Sequence, residues 1–211
     1  METDRELLTR GIKELGIDPP DTAVDRFHSY LQELKKWNRA YNLTALTSSG
    51  DIVIKHFLDS LLYLKAIPEG QWNICDVGSG AGFPGLPLAI IRTDVSITLV
   101  EPSRKKTAFL RHMKRQLSLA HISVAEARVE DLKDKVFDIA VTRALFSIGD
   151  FVKKAGHVVR GGGFFVLSKG PKLEEEREAL PASVKCEIIP VFLPLAGLQR
   201  NIVKVTTNAG P

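Results

Sequence analysis

Residues 73–85 read Asn-Ile-Cys-Asp-Val-Gly-Ser-Gly-Ala-Gly-Phe-Pro-Gly, and this stretch decides the fold. The apolar run 74–77 has the length of a short buried strand, and it stops at glycines 78, 80, 82 and 85. Glycine serves a chain that must turn sharply while a ligand lies against its backbone. Leu86, Leu88, Ala89, Ile90 and Ile91 then open a helix. Pro84 or Pro87 falls in its first turn, where a missing N–H does no harm. Strand, glycine turn and helix in this order form a nucleotide site.

Two nucleotide patterns overlap in the turn. Gly80 to Gly85 is a literal GxGxxG, the dinucleotide fingerprint. Gly78-Ser79-Gly80-Ala81-Gly82, preceded by Asp76, is the GxGxG pattern of S-adenosylmethionine (AdoMet) methyltransferases. A turn that begins directly after the strand starts at Gly78, and Phe83 then stands where the dinucleotide pattern needs its third glycine. This frame favours AdoMet, with Asp76 at the strand end as a partner for the amino acid ammonium. The next apolar run, 97–100, leads to Glu101, where a carboxylate can accept both ribose hydroxyls.

The chain as a whole bounds the answer. Its 211 residues, 44% of them apolar, predict one α/β domain with an extension. That length buries a sizeable core without staples. No apolar run reaches membrane-span length, since 86–91 is interrupted by Pro87 and followed by Arg92. The first six residues have neither the basic nor the apolar region of a signal peptide. Cys75 and Cys186 lack CxxC or Cys/His partners and read as buried free thiols in a reducing compartment. The five histidines show no HExxH spacing. A soluble, cytoplasmic, monomeric protein without a metal is expected. The net charge of +4 is uneven: residues 1–70 hold 9 Lys/Arg against 11 Asp/Glu, and residues 71–211 hold 20 against 14. The half with the glycine turn is therefore the basic one, suited to an acidic partner.

Taken in order, residues 1–70 predict a helical extension packed on a sheet. A first helix over 1–17 stops at Pro19-Pro20. A second, capped by Asp21 or Thr22, buries Val24, Phe27, Tyr30, Leu31, Leu34 and Trp37 on one face. A third over 51–66 places His56 and Asp59 three apart, the spacing of a simple pair. Residues 71–206 form the AdoMet-binding core. Strands near 73–77, 97–101, 122–127, 137–142 and 163–168 alternate with helices at 85–92, 104–117 and 148–159, which predicts a parallel sheet covered on both faces. A charged helix over 172–180 and two closing strands, 186–193 and 201–206, follow. Residues 207–211 are expected to fray.

Ligands of such sheets bind beyond the carboxyl ends of the strands. That rule selects 76–83, Glu101, Arg128-Val129-Glu130, Arg143 and Lys169-Gly170. Glu130 and Asp131 are candidates to accept from an adenine amino group or to cap their own loop. Arg104, Lys105, Lys106, Arg111, His112, Lys114 and Arg115 fill one helix with no acid between them, the footprint of phosphate binding or an ordinary solvated face. Aromatics make up only 7% of the chain, which suits recognition of a folded RNA better than tracking of a single strand.

Several of these motifs together resemble one family, the bacterial guanine-N7 methyltransferases of 16S ribosomal RNA (RsmG, or glucose-inhibited division protein B). They are Trp37-Asn38 with Tyr41-Asn42-Leu43-Thr44, His56 through Ser60, Asp76 through Gly85, Lys105-Lys106 with Phe109-Leu110, Arg128-Val129-Glu130, Thr142-Arg143-Ala144, Gly161-Gly162-Gly163 and Lys169-Gly170. The resemblance implies a class I AdoMet fold, a Rossmann-like and mostly parallel seven-stranded sheet. It implies methyl transfer to N7 of one guanine in 16S RNA or the 30S subunit, with S-adenosylhomocysteine as product. Carried over by position, the cofactor contacts are Gly78, Phe83, Val129, Glu130 and Arg143; Asp76, Gly80 and Glu101 join them from the reading of the turn.

Guanine N7 has an in-plane lone pair and no proton, so it needs no general base. Arg143 is accordingly expected to position the base or the methionine end. Arg128, Lys105, Lys106, Lys169 and Arg200 are expected to hold phosphates. Asn/Asp-Pro-Pro-aromatic, which amino-group methyltransferases place after the fourth strand, is replaced here by Thr142-Arg143-Ala144-Leu145. Two other classes fit parts of the chain: a dinucleotide oxidoreductase using the GxGxxG frame, and a non-catalytic RNA-binding factor on an AdoMet fold.

Overall fold

The computed structural model describes residues 2–133, 135–143, 145–170, 173–181 and 184–207. Seven strands make one sheet: β1 (Asn73–Val77), β2 (Ser96–Val100), β3 (Ile122–Ala125), β4 (Phe137–Arg143), β5 (Val159–Lys169), β6 (Val184–Leu193) and β7 (Leu198–Thr207). Their order is β3-β2-β1-β4-β5-β7-β6. β1 to β5 pair in parallel, and β7 enters antiparallel between β5 and β6. The order reverses between β1, which neighbours β2, and β4, so the crevice of the sheet opens at the end of β1. The expected fold class is the one observed.

Alternation along the strands divides the core. Ile74, Ile97, Leu99, Ile139, Val141 and Val166 face one cluster, while Cys75, Val77, Val100, Ala140, Phe165 and Leu167 face the other. The first face is covered by helices α1 (Asp4–Glu14) and α2 (Ala23–Tyr41), by a third helical segment over 49–65 (α3), and by α4 (Gly85–Ile91) and α5 (Arg104–Gln116). The second is covered by α6 (Ile148–Ala155) and α7 (Leu173–Glu178).

Local structure departs from the expectations in several places. The α1 N-terminus is closed by a capping box between Thr3 and Glu6, but Thr22 makes no side-chain cap for α2. α3 is not a regular helix. It opens as Ser49–Ile52, widens into a π-helical stretch at Val53–Leu58, and tightens into a 3-10 turn at Leu62–Lys65. Such widening in a helix often marks a functional position. β5 begins at Val159, ahead of the expected start. Pairing with β4 jumps from Phe137↔Val159 to Ile139↔Phe164, so the Gly161-Gly162-Gly163 run forms a bulge inside the strand. Thr207 still belongs to β7, and the rest of the expected tail, 208–211, lies outside the described residues, as does Lys172.

Candidate active site

The turn after β1 is built by backbone bonds that no side chain at its start could share. The N–H groups of Gly78 and Ser79 donate to the Val100 carbonyl at 2.8 and 3.1 Å. Gly78 has φ +72°, and a Cβ there would stand 2.3 Å from Leu145 Cδ2. Tyr30 from α2 reaches under the turn and donates its hydroxyl to the Ala81 carbonyl at 2.5 Å. At the start of α4 the Gly85 N–H donates to Asp76 Oδ2 at 2.9 Å, and a Cβ on Gly85 would come within 2.6 Å of that oxygen. Asp76 is fully buried, and its Oδ1 has no hydrogen-bond partner among the described residues. Burial pushes its carboxyl up to about 7, against the pull of the Gly85 hydrogen bond.

Glu101 is also buried, and both its oxygens accept backbone amides: Oε2 from Gly80 and Oε1 from Ser103, each at 2.9 Å. It therefore ties the glycine turn to the loop after β2. A cleft of about 200 Å³ opens between these loops, lined by Gly78, Pro102, Arg128, Val129, Glu130 and Leu145 among others. Glu130 pairs with Lys154 of α6 at 2.5 Å across this cleft, and that hydrogen bond holds its carboxyl below the usual range. Of the expected cofactor residues, Gly78, Val129 and Glu130 line the cleft. Asp76, Gly80, Phe83, Glu101 and Arg143 are not among its lining residues. The residues fit AdoMet: the cleft has apolar walls for a nucleoside, a Cβ at Gly78 would crowd its mouth, and the Asp76 oxygen lacks a donor.

Arg143, at the end of β4, is held by the N-terminal helices. One guanidinium nitrogen donates to the Lys55 carbonyl at 3.2 Å and lies 3.6 Å from Asp59 Oδ2; the other donates to His56 Nδ1 at 2.9 Å. Its guanidinium carbon sits 4.9 Å from the Phe83 ring centre, and the His56 ring stacks on the same phenylalanine at 4.4 Å. Asp59 Oδ1 also accepts from Arg200 Nε at 3.0 Å. The expected His56–Asp59 pair is thus corrected: His56 and the Lys55 carbonyl, from the π stretch, and Asp59, from the α-helical turn that follows it, all turn to Arg143 at the end of β4. His56 Nε2 meets Thr44 Oγ1 at 2.7 Å. Burial, helped by the Arg143 charge, lowers the His56 pKa to about 3.

The expected phosphate contacts divide. Arg128, Lys105 and Lys106 are accessible. Lys169 is corrected: its ammonium donates to the Phe146 carbonyl and pairs with Glu176 at 2.8 Å, with only 10% of the side chain exposed. It braces α7 against β5. Arg200 is half spent on Asp59. The α5 helix carries no acid of its own, yet acids from elsewhere meet it: Glu126 pairs with Arg111 at 2.9 Å, and Glu33 lies 2.6 Å from His112. Sequence reading missed Tyr30, Thr44, Leu145 and Lys154. Thr44 was within the Tyr41–Thr44 motif, but nothing in the chain joined it to His56.

The family model "GidB: rRNA small subunit methyltransferase G" matches residues 23–203. The chain belongs to the rRNA small subunit methyltransferase G family. The protein of that name from Neisseria meningitidis is 40% identical over 200 residues, covering 94% of this chain and 96% of the relative. Among solved structures, a methyltransferase from Pyrococcus furiosus superposes with TM-score 0.61 at 13% identity, covering 86% and 97% of the two chains. It supports the fold alone. The Thermus thermophilus 16S rRNA N2 G1207 methyltransferase, solved with AdoMet and guanosine, superposes with TM-score 0.53 at 25% identity, over 71% of this chain and 43% of that one. As a member of the methyltransferase G family, the chain is an AdoMet-dependent methyltransferase. Among the described residues there is no cluster able to hold a metal ion and no helix long and apolar enough to cross a membrane.

Proposed function

We propose that the protein methylates N7 of one guanine in 16S ribosomal RNA. The observation that carries this reading is the engagement of the groups at the end of β4. His56 is kept neutral and occupied at both nitrogens, and Arg143 is a fixed cation, so neither serves as a general base. A ring nitrogen with a free lone pair asks for none. AdoMet supplies the electrophilic methyl, and the chain supplies geometry. Correct orientation of two reactants is worth about 7–11 kcal/mol of the barrier. In this reading Gly78, Val129 and Glu130 hold the nucleoside, Glu101 the ribose, and Asp76 the ammonium. Arg143, tilted by His56, Lys55 and Asp59 against Phe83, orients the acceptor base. Arg128, Lys105, Lys106 and the exposed side of Arg200 take phosphates.

Residues 1–70 serve as the extension that positions Arg143, and residues 71–206 as the methyltransferase core. All these groups come from one chain, so a monomer suffices, and a ribosomal substrate puts the protein in the cytoplasm. The test uses 16S RNA and 30S subunits from cells lacking this gene, incubated with the protein and methyl-tritiated AdoMet, then cleaved chemically at 7-methylguanosine. One new cleavage site with incorporated label is expected. Label without cleavage would refute N7, and no label would leave only RNA binding. NADH raising the melting temperature where AdoMet does not would favour the dinucleotide frame.

A further inference from the structure

A second cavity, of about 450 Å³, lies at the C-terminal end of α2 and shares no lining residue with the cleft at Gly78. Asn42 ends α2 in the left-handed region, φ 50°, with its N–H on the Asn38 carbonyl at 3.0 Å. The Asn38 side-chain oxygen then accepts the Thr44 N–H at 2.8 Å, so the chain folds back beside the helix and makes the second wall of a groove. Lys35, Asn38, Arg39, Asn42, Thr44 and Thr47 line it. Lys35 and Arg39 are four apart on one helix and so stand on the same face. No carboxylate lines the groove, and neither cation forms an ion pair among the described residues. Lys35 donates to the Ser49 hydroxyl at 2.6 Å, which holds its ammonium in place without neutralising it.

One held cation, Lys35, and one exposed cation, Arg39, with amide and hydroxyl donors and no anion form a lining for phosphate oxygens. The volume is that of a site for a small molecule or a nucleotide unit. The polymer, as opposed to a free anion, is favoured by what adjoins the groove. Thr44 lines it and also contacts His56, whose other nitrogen holds Arg143, so two hydrogen bonds separate the groove wall from the proposed base-orienting arginine. Tyr41, 45% exposed with its ring 5.4 Å from that of Trp37, precedes the groove residue Asn42 in the chain.

We propose that this groove is a phosphate subsite of the ribosomal RNA substrate, gripping nucleotides that flank the methylated guanine. The proposal rests on the rRNA-methylating reading above. It makes the N-terminal helices part of the substrate site as well as the support of Arg143.

The test compares the wild type with Arg39→Glu, an exposed position, and with Lys35→Gln. Affinity for 16S RNA and for 30S subunits is measured by filter binding over a range of salt, alongside AdoMet affinity and melting temperature. A loss of RNA affinity of tenfold or more is expected for Arg39→Glu. The slope of log K against log salt should become shallower by roughly 0.7–0.9 for each lost phosphate contact. AdoMet affinity should stay at the wild-type value. If Arg39→Glu melts early, Arg39→Gln is read in its place, with the same slope criterion. RNA affinity and slope equal to wild type, in a preparation where the wild type methylates RNA, would overturn the subsite and leave the methyltransferase reading intact. A wild type that transfers no methyl to RNA would overturn that reading instead.

Discussion

Arg143 donates to His56 Nδ1 at 2.9 Å, and this bond fixes more than an orientation. With Nδ1 the acceptor, the ring proton sits on Nε2 and is donated to Thr44 Oγ1. The arginine at the end of β4 therefore takes its geometry from a helix 87 residues earlier in the chain, and the histidine takes its tautomer from the arginine. Replacing Arg143 by lysine keeps the charge but loses the fork that engages His56 and the Lys55 carbonyl at once. Single-turnover methyl transfer by Arg143→Lys at saturating AdoMet should fall about 10²-fold, the cost of roughly an ångström of misplacement. A rate within twofold of wild type would remove Arg143 from the positioning of the base.

The buried imidazole predicts an acid sensitivity. His56 has a folded pKa near 3, far below its ordinary 6.5, so the unfolded chain takes up a proton that the folded one refuses. Its contribution to stability is present above about pH 6.5 and is lost as the pH falls toward 3. Denaturant titrations between pH 7 and pH 4 should show a weaker loss of stability in His56→Gln than in the wild type. The same slope in both proteins would mean that the ring is solvated and protonates freely.

Gly78 combines a left-handed backbone with a missing Cβ that faces Leu145. Gly78→Ala should therefore strain the turn by about 1–3 kcal/mol and push Leu145 into the cleft mouth. Calorimetric AdoMet affinity should drop by at least tenfold, with RNA affinity unchanged. Gly78→Ala combined with Leu145→Ala should recover part of the cofactor affinity, since one of the two obstacles is then gone.

These effects mark where sequence reading succeeds and where it stops. The β1 turn was legible because glycines, an apolar run of strand length and a helix-opening proline lie within thirteen residues. The strand–helix alternation and the basic α5 face were legible for the same local reason. Partners far along the chain were not: Glu33 meets His112 from 79 residues away, and Asp59 meets Arg200 across 141. Lys169 shows the converse error. Its place at a strand end is that of a ligand contact, yet Glu176 of the following helix is near enough to claim it. His56 and Asp59 had the spacing of a helical pair, but both meet Arg143, which lies more than eighty residues away in sequence, and no local spacing rule announces such a partner.

Asp76 has its carboxyl raised to about 7 by burial, and one of its oxygens has no hydrogen-bond partner among the described residues. Near pH 6 the folded protein therefore holds a proton there that the unfolded chain, with an ordinary carboxyl near 3.8, does not. By linkage this group's stabilising contribution is full below about pH 3.8 and is lost as the pH rises through 7. An ammonium brought near the carboxyl favours its ionised form and expels the proton. If the AdoMet amino group is that partner, binding should release a proton below pH 7. Affinity should then rise roughly tenfold per pH unit between pH 5 and 7 before levelling. Calorimetry in buffers of different ionisation enthalpy counts the proton directly. In Asp76→Asn the release should vanish and the affinity should no longer vary with pH across this window. An equal proton count in wild type and Asp76→Asn would assign the ammonium to another acceptor and reduce Asp76 to a brace for the Gly85 N–H.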